Sequence, residues 1–189
     1  VVPRIRLFVR YPMVVNYVLY HAGWIACILG AAAHRPVAGL AVALALTAAH
    51  LWLVDDRPAE LRLVAATLAI GLVVEAAMTA RGIYRFTSGS VVTWMSPPWL
   101  LAMWAQFATT FRFTARAVLA SPARSALFGV LGGPIAFYAG ERLGAVTLAQ
   151  PVLPTFVTLG LAWGAALFVC AHALPRLTRG VRTATYRAL

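Results

Sequence analysis

The sequence predicts an all-α integral membrane protein, a bundle of six transmembrane helices with both termini in the cytoplasm. Three observations carry this. Of the 189 residues, 62% are hydrophobic and 11% charged, with a mean hydropathy of +0.82. That leaves too little polar surface for a water-soluble domain of this length. The apolar residues come in blocks of roughly 18 to 20, enough for a helix to cross a ~30 Å hydrocarbon core. The arginines gather at the block ends and favour one side.

The opening VVPRIRLFVRYPM, residues 1–13, alternates arginines with apolar residues and reads as a basic interfacial segment leading into the first span. The transmembrane domain, residues 14–174, holds six expected spans: Val14–Ala33, Val37–Val54, Glu60–Ala80, Trp99–Val118, Ala123–Gly140 and Leu153–Leu174. Residues 175–189, PRLTRGVRTATYRAL, form a basic cytoplasmic tail. Local signals support several helix starts. In SPPWL, Ser96 is expected to cap and Pro97 to take the first helical position; Ser121 and Pro122 do the same in SPARSAL. DDRPAEL sets three acids near the start of the third span, where the helix dipole favours them. With the N-terminus inside, twelve arginines fall on the cytoplasmic side and four (Arg35, Arg81, Arg85, Arg142) outside. The long link RGIYRFTSGSVVTWMSPP is then external and reads as a cover on the headgroup layer, with Trp99 in the outer aromatic belt.

A net charge of +11 would point to nucleic acid in a soluble protein. Here topology accounts for it, and no nucleic-acid partner is expected. Cys27 and Cys170 each lie inside an apolar block and read as packing residues. The sequence has no HExxH, CxxC, nucleophile elbow or phosphate-binding loop, so no metal or cofactor is expected and no enzyme class is assigned.

Small residues mark helix contacts. Gly132, Ala136, Gly140 and Gly144 form one row in the fifth span, with Ser125, Gly129 and Gly133 in a second; Gly160 and Gly164 make a pair in the sixth. Pro134 removes a backbone donor and kinks the fifth span, either for packing or to free carbonyls toward a cavity. These rows also allow docking of other membrane proteins.

Polar residues inside spans are costly and point to a site. Asn16, His21, His50 and His172 fall toward the cytoplasmic side, Gln106 near the middle of span four, and Glu75 and Tyr138 toward the outside. Glu75 has two readings: an ion pair with Arg81, Arg85 or Arg142, or a carboxyl facing an open cavity with Tyr138 as neighbour. Asn16, His50, Glu60 and His172 are expected to share one layer; if they meet they form an acid–base group. His50, Glu60 and Glu75 are the catalytic candidates. Trp104 and Phe107 share a helix face, as core or as a wall against an acyl or isoprenoid chain.

The motifs NYVLYHAGWIACILGAA, His50 with AELRL, the acid at Glu75, PPWLLAMWAQFATTF and GGPIAFYAGERLGA together resemble the domain of unknown function 2878 family of small bacterial inner-membrane proteins, over residues 14–148. The family usually has aspartate where this chain has Glu75. The resemblance implies no set activity, a multi-pass inner-membrane location, and a lipid context, since members tend to be encoded beside enzymes that modify membrane fatty acids. It singles out Asn16, His50, Glu60, Glu75, Trp99, Trp104, Gly133, Pro134 and Tyr138. Three readings stand: a lipid-binding protein or accessory to fatty-acid modification, with membrane lipids as partners; a structural or assembly subunit; and a small transporter with Glu75 as coupling carboxylate.

Overall fold

A computed structural model of the protein describes residues 10–178. Most of the interfacial segment, residues 1–9, and the tail beyond 178 lie outside the described residues. The chain forms helices α1 (Pro12–Ala32), α2 (Pro36–Leu53), α3 (Arg57–Ala80), α4 (Pro98–Ala108), α5 (Arg116–Leu119), α6 (Pro122–Arg142) and α7 (Val152–Leu177), with two short strands, β1 (Tyr84–Phe86) and β2 (Val146–Leu148).

Each long helix starts on a proline in its first turn or just before it, where the missing N–H costs nothing. The Asp56 side chain caps α3 by accepting from the Ala59 N–H at 3.0 Å, and Ser121 caps α6. At α4 the expectation shifts by one residue. Pro97 occupies the cap and Pro98 the first helical position, while the Ser96 side chain turns inward to other partners.

Four helices, α1, α2, α3 and α7, are long and apolar enough to cross a membrane. The fourth apolar block behaves otherwise. Instead of one helix over 99–118, α4 stops at Ala108 after 11 residues, about 16 Å at 1.5 Å per residue. A series of tight turns over 109–115 follows, then the four-residue α5. The turn region is tied down from outside. The Asn16 amide donates to the Thr109 carbonyl at 3.0 Å, and its Oδ1 accepts from the Thr114 hydroxyl at 2.7 Å. Irregular backbone is tolerated within an apolar bundle only where such partners satisfy it, and Asn16 is wholly buried in that role. The α6 helix, whose apolar residues are diluted by four glycines and Pro134, falls outside the four.

The links sort into two ends. β1 pairs antiparallel with β2, Tyr84 opposite Leu148 and Phe86 opposite Val146, so the ends of α3 and α6 lie together. Ser88 Oγ donates to the Ala31 carbonyl at 2.7 Å, bringing the α1–α2 link to this same ribbon end. The 109–115 turns, the α2–α3 link and the start of α1 share the opposite end. This ribbon is absent from the sequence reading: three-residue strands carry almost no periodic signal.

Small residues set the helix contacts. A Cβ on Gly129 would lie 2.4 Å from the Trp163 carbonyl oxygen, and one on Gly160 2.8 Å from the Val130 oxygen. Thus α6 and α7 approach backbone to backbone. Val130 is the residue whose carbonyl loses its intrahelical donor to Pro134, and Gly160 of α7 covers that carbonyl. Pro134 itself lies in this contact, 3.6 Å from a Cβ placed on Gly160. Cys27 and Cys170 are free thiols, both buried; Cys27 lies against Gly39 where α1 and α2 meet.

Candidate functional site

The buried face of α3 is a single stripe, Glu60, Leu63, Thr67, Gly71, Glu75 and Met78, at helical spacing. Both of its acids are turned into the bundle, one near each end.

Toward the ribbon end, Glu75 has no exposed surface. Its Oε1 accepts from Trp104 Nε1 at 2.9 Å; its Oε2 accepts from the Tyr84 hydroxyl and from Ser96 Oγ at 3.1 Å. Ser96 shares a further hydrogen bond of 2.8 Å with Thr79. These are neutral donors. Arg81, Arg85 and Arg142, the partners considered from sequence, are exposed. A carboxylate offers about four acceptor positions, and three donors converge here from β1, the loop before α4, and α4 itself. Two donors are held by aromatic stacking: Trp104 lies on Trp163 with centroids 4.3 Å apart, and Tyr84 on Phe137 at 4.6 Å. Gly71 makes room for the Trp104 ring, which a Cβ there would meet at 2.5 Å. Burial first, and then the neighbouring Glu75, push the Tyr84 hydroxyl well above the ordinary tyrosine range, which keeps it a donor.

At the opposite end Glu60, also without exposed surface, accepts from Arg112 Nη1 at 2.9 Å and lies 3.4 Å from His50 Nε2. Phe113 stands edge-on to the His50 ring. Asn16 joins this group indirectly, by anchoring the turns that carry Arg112. His172 does not join it: it is exposed near the end of α7 and stacks on Phe168. Arg112 went unnoticed in sequence because it looked like one more topogenic arginine. Its spacing in the chain says nothing about Glu60, 52 residues earlier.

The remaining candidates separate. Trp99 is buried, not at a lipid-facing belt; its Nε1 donates to the Ser88 carbonyl at 3.1 Å. Tyr138 is 49% exposed and meets Phe156, so Tyr84 and Phe137 take the place beside Glu75 expected for it. Gln106 is buried against Gly23, its amide donating to the Leu19 carbonyl at 2.9 Å. Of the small residues, Gly133 meets the Trp163 ring and Gly164 the Val130 side chain, whereas Gly140 faces Val146 of β2.

Gly132 faces open space instead, with nothing nearer to a Cβ than Phe128 at 3.8 Å. It lies on one wall of a half-open cavity of about 630 Å³ that runs lengthwise between α1 and α6. Tyr17, Tyr20, His21, Trp24 and Ile28 form the α1 wall. Phe128, Gly129, Gly132, Ala136 and Gly140 form the α6 wall. Leu100, Met103, Trp104 and Phe107 of α4, with Trp163 of α7, make the floor. The Trp104–Phe107 face is therefore neither simple core nor free surface; it is the floor of a groove, with Glu75 directly behind it.

Together, long apolar helices, an enclosed irregular segment and buried acids matched by donors define a helical membrane protein. The chain belongs to the family described as protein of unknown function (DUF2878), whose model matches residues 13–169. No curated protein and no solved structure matches the chain.

Proposed function

We propose that the protein is a lipid-binding component of the bacterial inner membrane, crossing it six times with both ends in the cytoplasm, and acting in or beside membrane-lipid modification. One observation supports this most: an apolar, aromatic-floored groove between α1 and α6. Ligand sites are mostly apolar concavities of a few hundred cubic ångströms with a few placed polar groups, and this one fits that description.

The rival readings draw less support. An assembly role would use the glycine rows to receive another protein's helix; Gly129, Gly133, Gly160 and Gly164 are taken up by the α6–α7 contact, which leaves it Gly132 and Ala136 on the groove wall. A coupling carboxylate needs access from water, and Glu75 is closed in by Tyr84, Ser96 and Trp104.

The test is native mass spectrometry of the gently purified protein and of Gly132→Trp, which places a large side chain on the groove wall at a position where a Cβ meets only the Phe128 ring. Retained lipid is expected on the native protein and at least fivefold less on the variant. Equal retention by both counts against the proposal.

A further inference from the structure

The groove is not uniform along its length. Its hydroxyl and imidazole groups fall toward the end where α1 begins: Tyr17, Tyr20 and His21 on α1, with Thr110 and Thr114 opposite; on the floor, Trp163 Nε1 is buried without a hydrogen-bond partner. At the ribbon end the lining is Ile28, Phe86, Val146 and Gly140. Among the described residues the hydroxyls of Tyr17 and Tyr20 make no hydrogen bond. His21, also a lining residue, bonds through Nδ1 to the Tyr17 carbonyl at 2.9 Å, and its Nε2 makes no hydrogen bond among the described residues. Helical side chains lean toward the N-terminus, so these tips lie about a turn nearer the membrane surface than their Cα atoms. Arg116, exposed, lies in the chain between the lining residues Ala115 and Val118, so a positive charge is carried beside this end of the groove.

We infer that the groove takes one acyl chain of a glycerophospholipid from the leaflet on the α1 start side. The ester and phosphate oxygens lie at Tyr17, Tyr20, His21 and Arg116, and the chain end lies against Ile28 and Phe86. This rests on the lipid-binding reading above and adds orientation, leaflet and chain number to it. Length agrees: from Tyr17 to Ile28 the α1 wall runs about 16 Å at 1.5 Å per residue, close to one leaflet's half of a ~30 Å hydrocarbon core. Volume agrees as well. At about 630 Å³ the groove has room for one acyl chain. Charge matches in sign, since a phosphate meets Arg116 and the donors of the two tyrosines, while the far end offers a methyl terminus nothing polar.

The experiment uses the full-length protein in vesicles of phosphatidylethanolamine and phosphatidylglycerol. Two photoreactive phosphatidylethanolamines are compared, one with a diazirine on the last acyl carbon and one with it on the headgroup nitrogen. The chain-end probe is expected to label peptides containing Ile28 and Phe86, and the headgroup probe those containing His21 and Thr114. Replacing the polar tips together (Tyr17→Phe, Tyr20→Phe, His21→Leu) keeps the groove's shape and is expected to lower headgroup labelling at least threefold. The reversed labelling pattern, or headgroup labelling unchanged in the triple variant, overturns the orientation and leaves lipid binding standing. Labelling confined to outward residues such as Val37 and Leu161 overturns both. A one-chain lysophospholipid should compete for the chain-end label as well as the two-chain lipid does; a tenfold advantage for the latter overturns single-chain occupancy.

Discussion

Trp104 faces two ways: its ring forms the floor of the groove while its indole N–H donates to Glu75 at 2.9 Å. The bond to the buried acid helps fix the tilt of this ring beneath the groove. Glu75→Gln replaces an acceptor-only group by an amide whose NH2 cannot accept. Turned to Trp104, the NH2 leaves the indole N–H unpaired; turned to Tyr84 and Ser96, it makes them acceptors and takes the partner from the Tyr84 hydroxyl hydrogen. An unsatisfied buried donor costs about 1–3 kcal/mol. The expected outcome is a loss of that size in detergent unfolding, with altered tryptophan fluorescence. Glu75→Gln combined with Trp104→Phe should cost less than the two single losses added together.

Arg112 and Glu60 form the second test. Breaking a buried ion pair by removing one partner typically costs about 3–5 kcal/mol, because the other charge stays buried. Arg112→Met is expected to destabilise in that range, and Arg112→Met with Glu60→Gln much less. Unfolding midpoints in mixed micelles of rising dodecyl sulfate fraction give the comparison.

Two neighbouring glycines should respond in opposite ways. Gly129→Leu forces α6 away from the Trp163 backbone, and the expected result is loss of folded protein. A Cβ at Gly132 meets only the Phe128 ring, at 3.8 Å; Gly132→Leu should fold with near-native stability and retain less lipid. Thermal unfolding and lipid extraction on the two purified variants separate these effects.

Tyr84 gives the protein an alkaline limit. Its hydroxyl titrates above the ordinary value of 10.0 in the folded state, owing to burial and to Glu75. The folded form thus holds a proton that the unfolded chain releases near pH 10. Stability from this group is complete below that pH and declines as pH rises past it. Unfolding followed from pH 8.5 to 11.5 should show a decline in the native protein that is shallower in Tyr84→Phe.

Orientation is open to direct measurement. With Cys27 and Cys170 replaced by alanine, a cysteine at Ser90 on the ribbon-end loop should react with a membrane-impermeant maleimide in intact cells. A reporter fused after Leu189 should be active only as a cytoplasmic one. A periplasmic reporter after Leu189 contradicts the proposed topology.

The amino-acid sequence by itself determined what depends on composition and local spacing. The apolar blocks dictate membrane helices, Pro122 marks the start of α6, and Gly129, Gly133, Gly160 and Gly164 mark faces for close helix approach, which tertiary structure makes the α6–α7 contact. The same signals misjudge α4, because hydropathy measures a segment's affinity for the apolar interior and not whether its backbone stays helical there. Thr109, Thr110 and Asn16 supply the bonds that let it unwind. Tertiary structure alone decided which donors meet the acids. Glu75 finds Tyr84, Ser96 and Trp104, and Glu60 finds Arg112, across 9 to 52 residues of chain. Such pairings are fixed by where helices cross and ribbons close, and a desolvated carboxylate accepts whichever donor that geometry delivers.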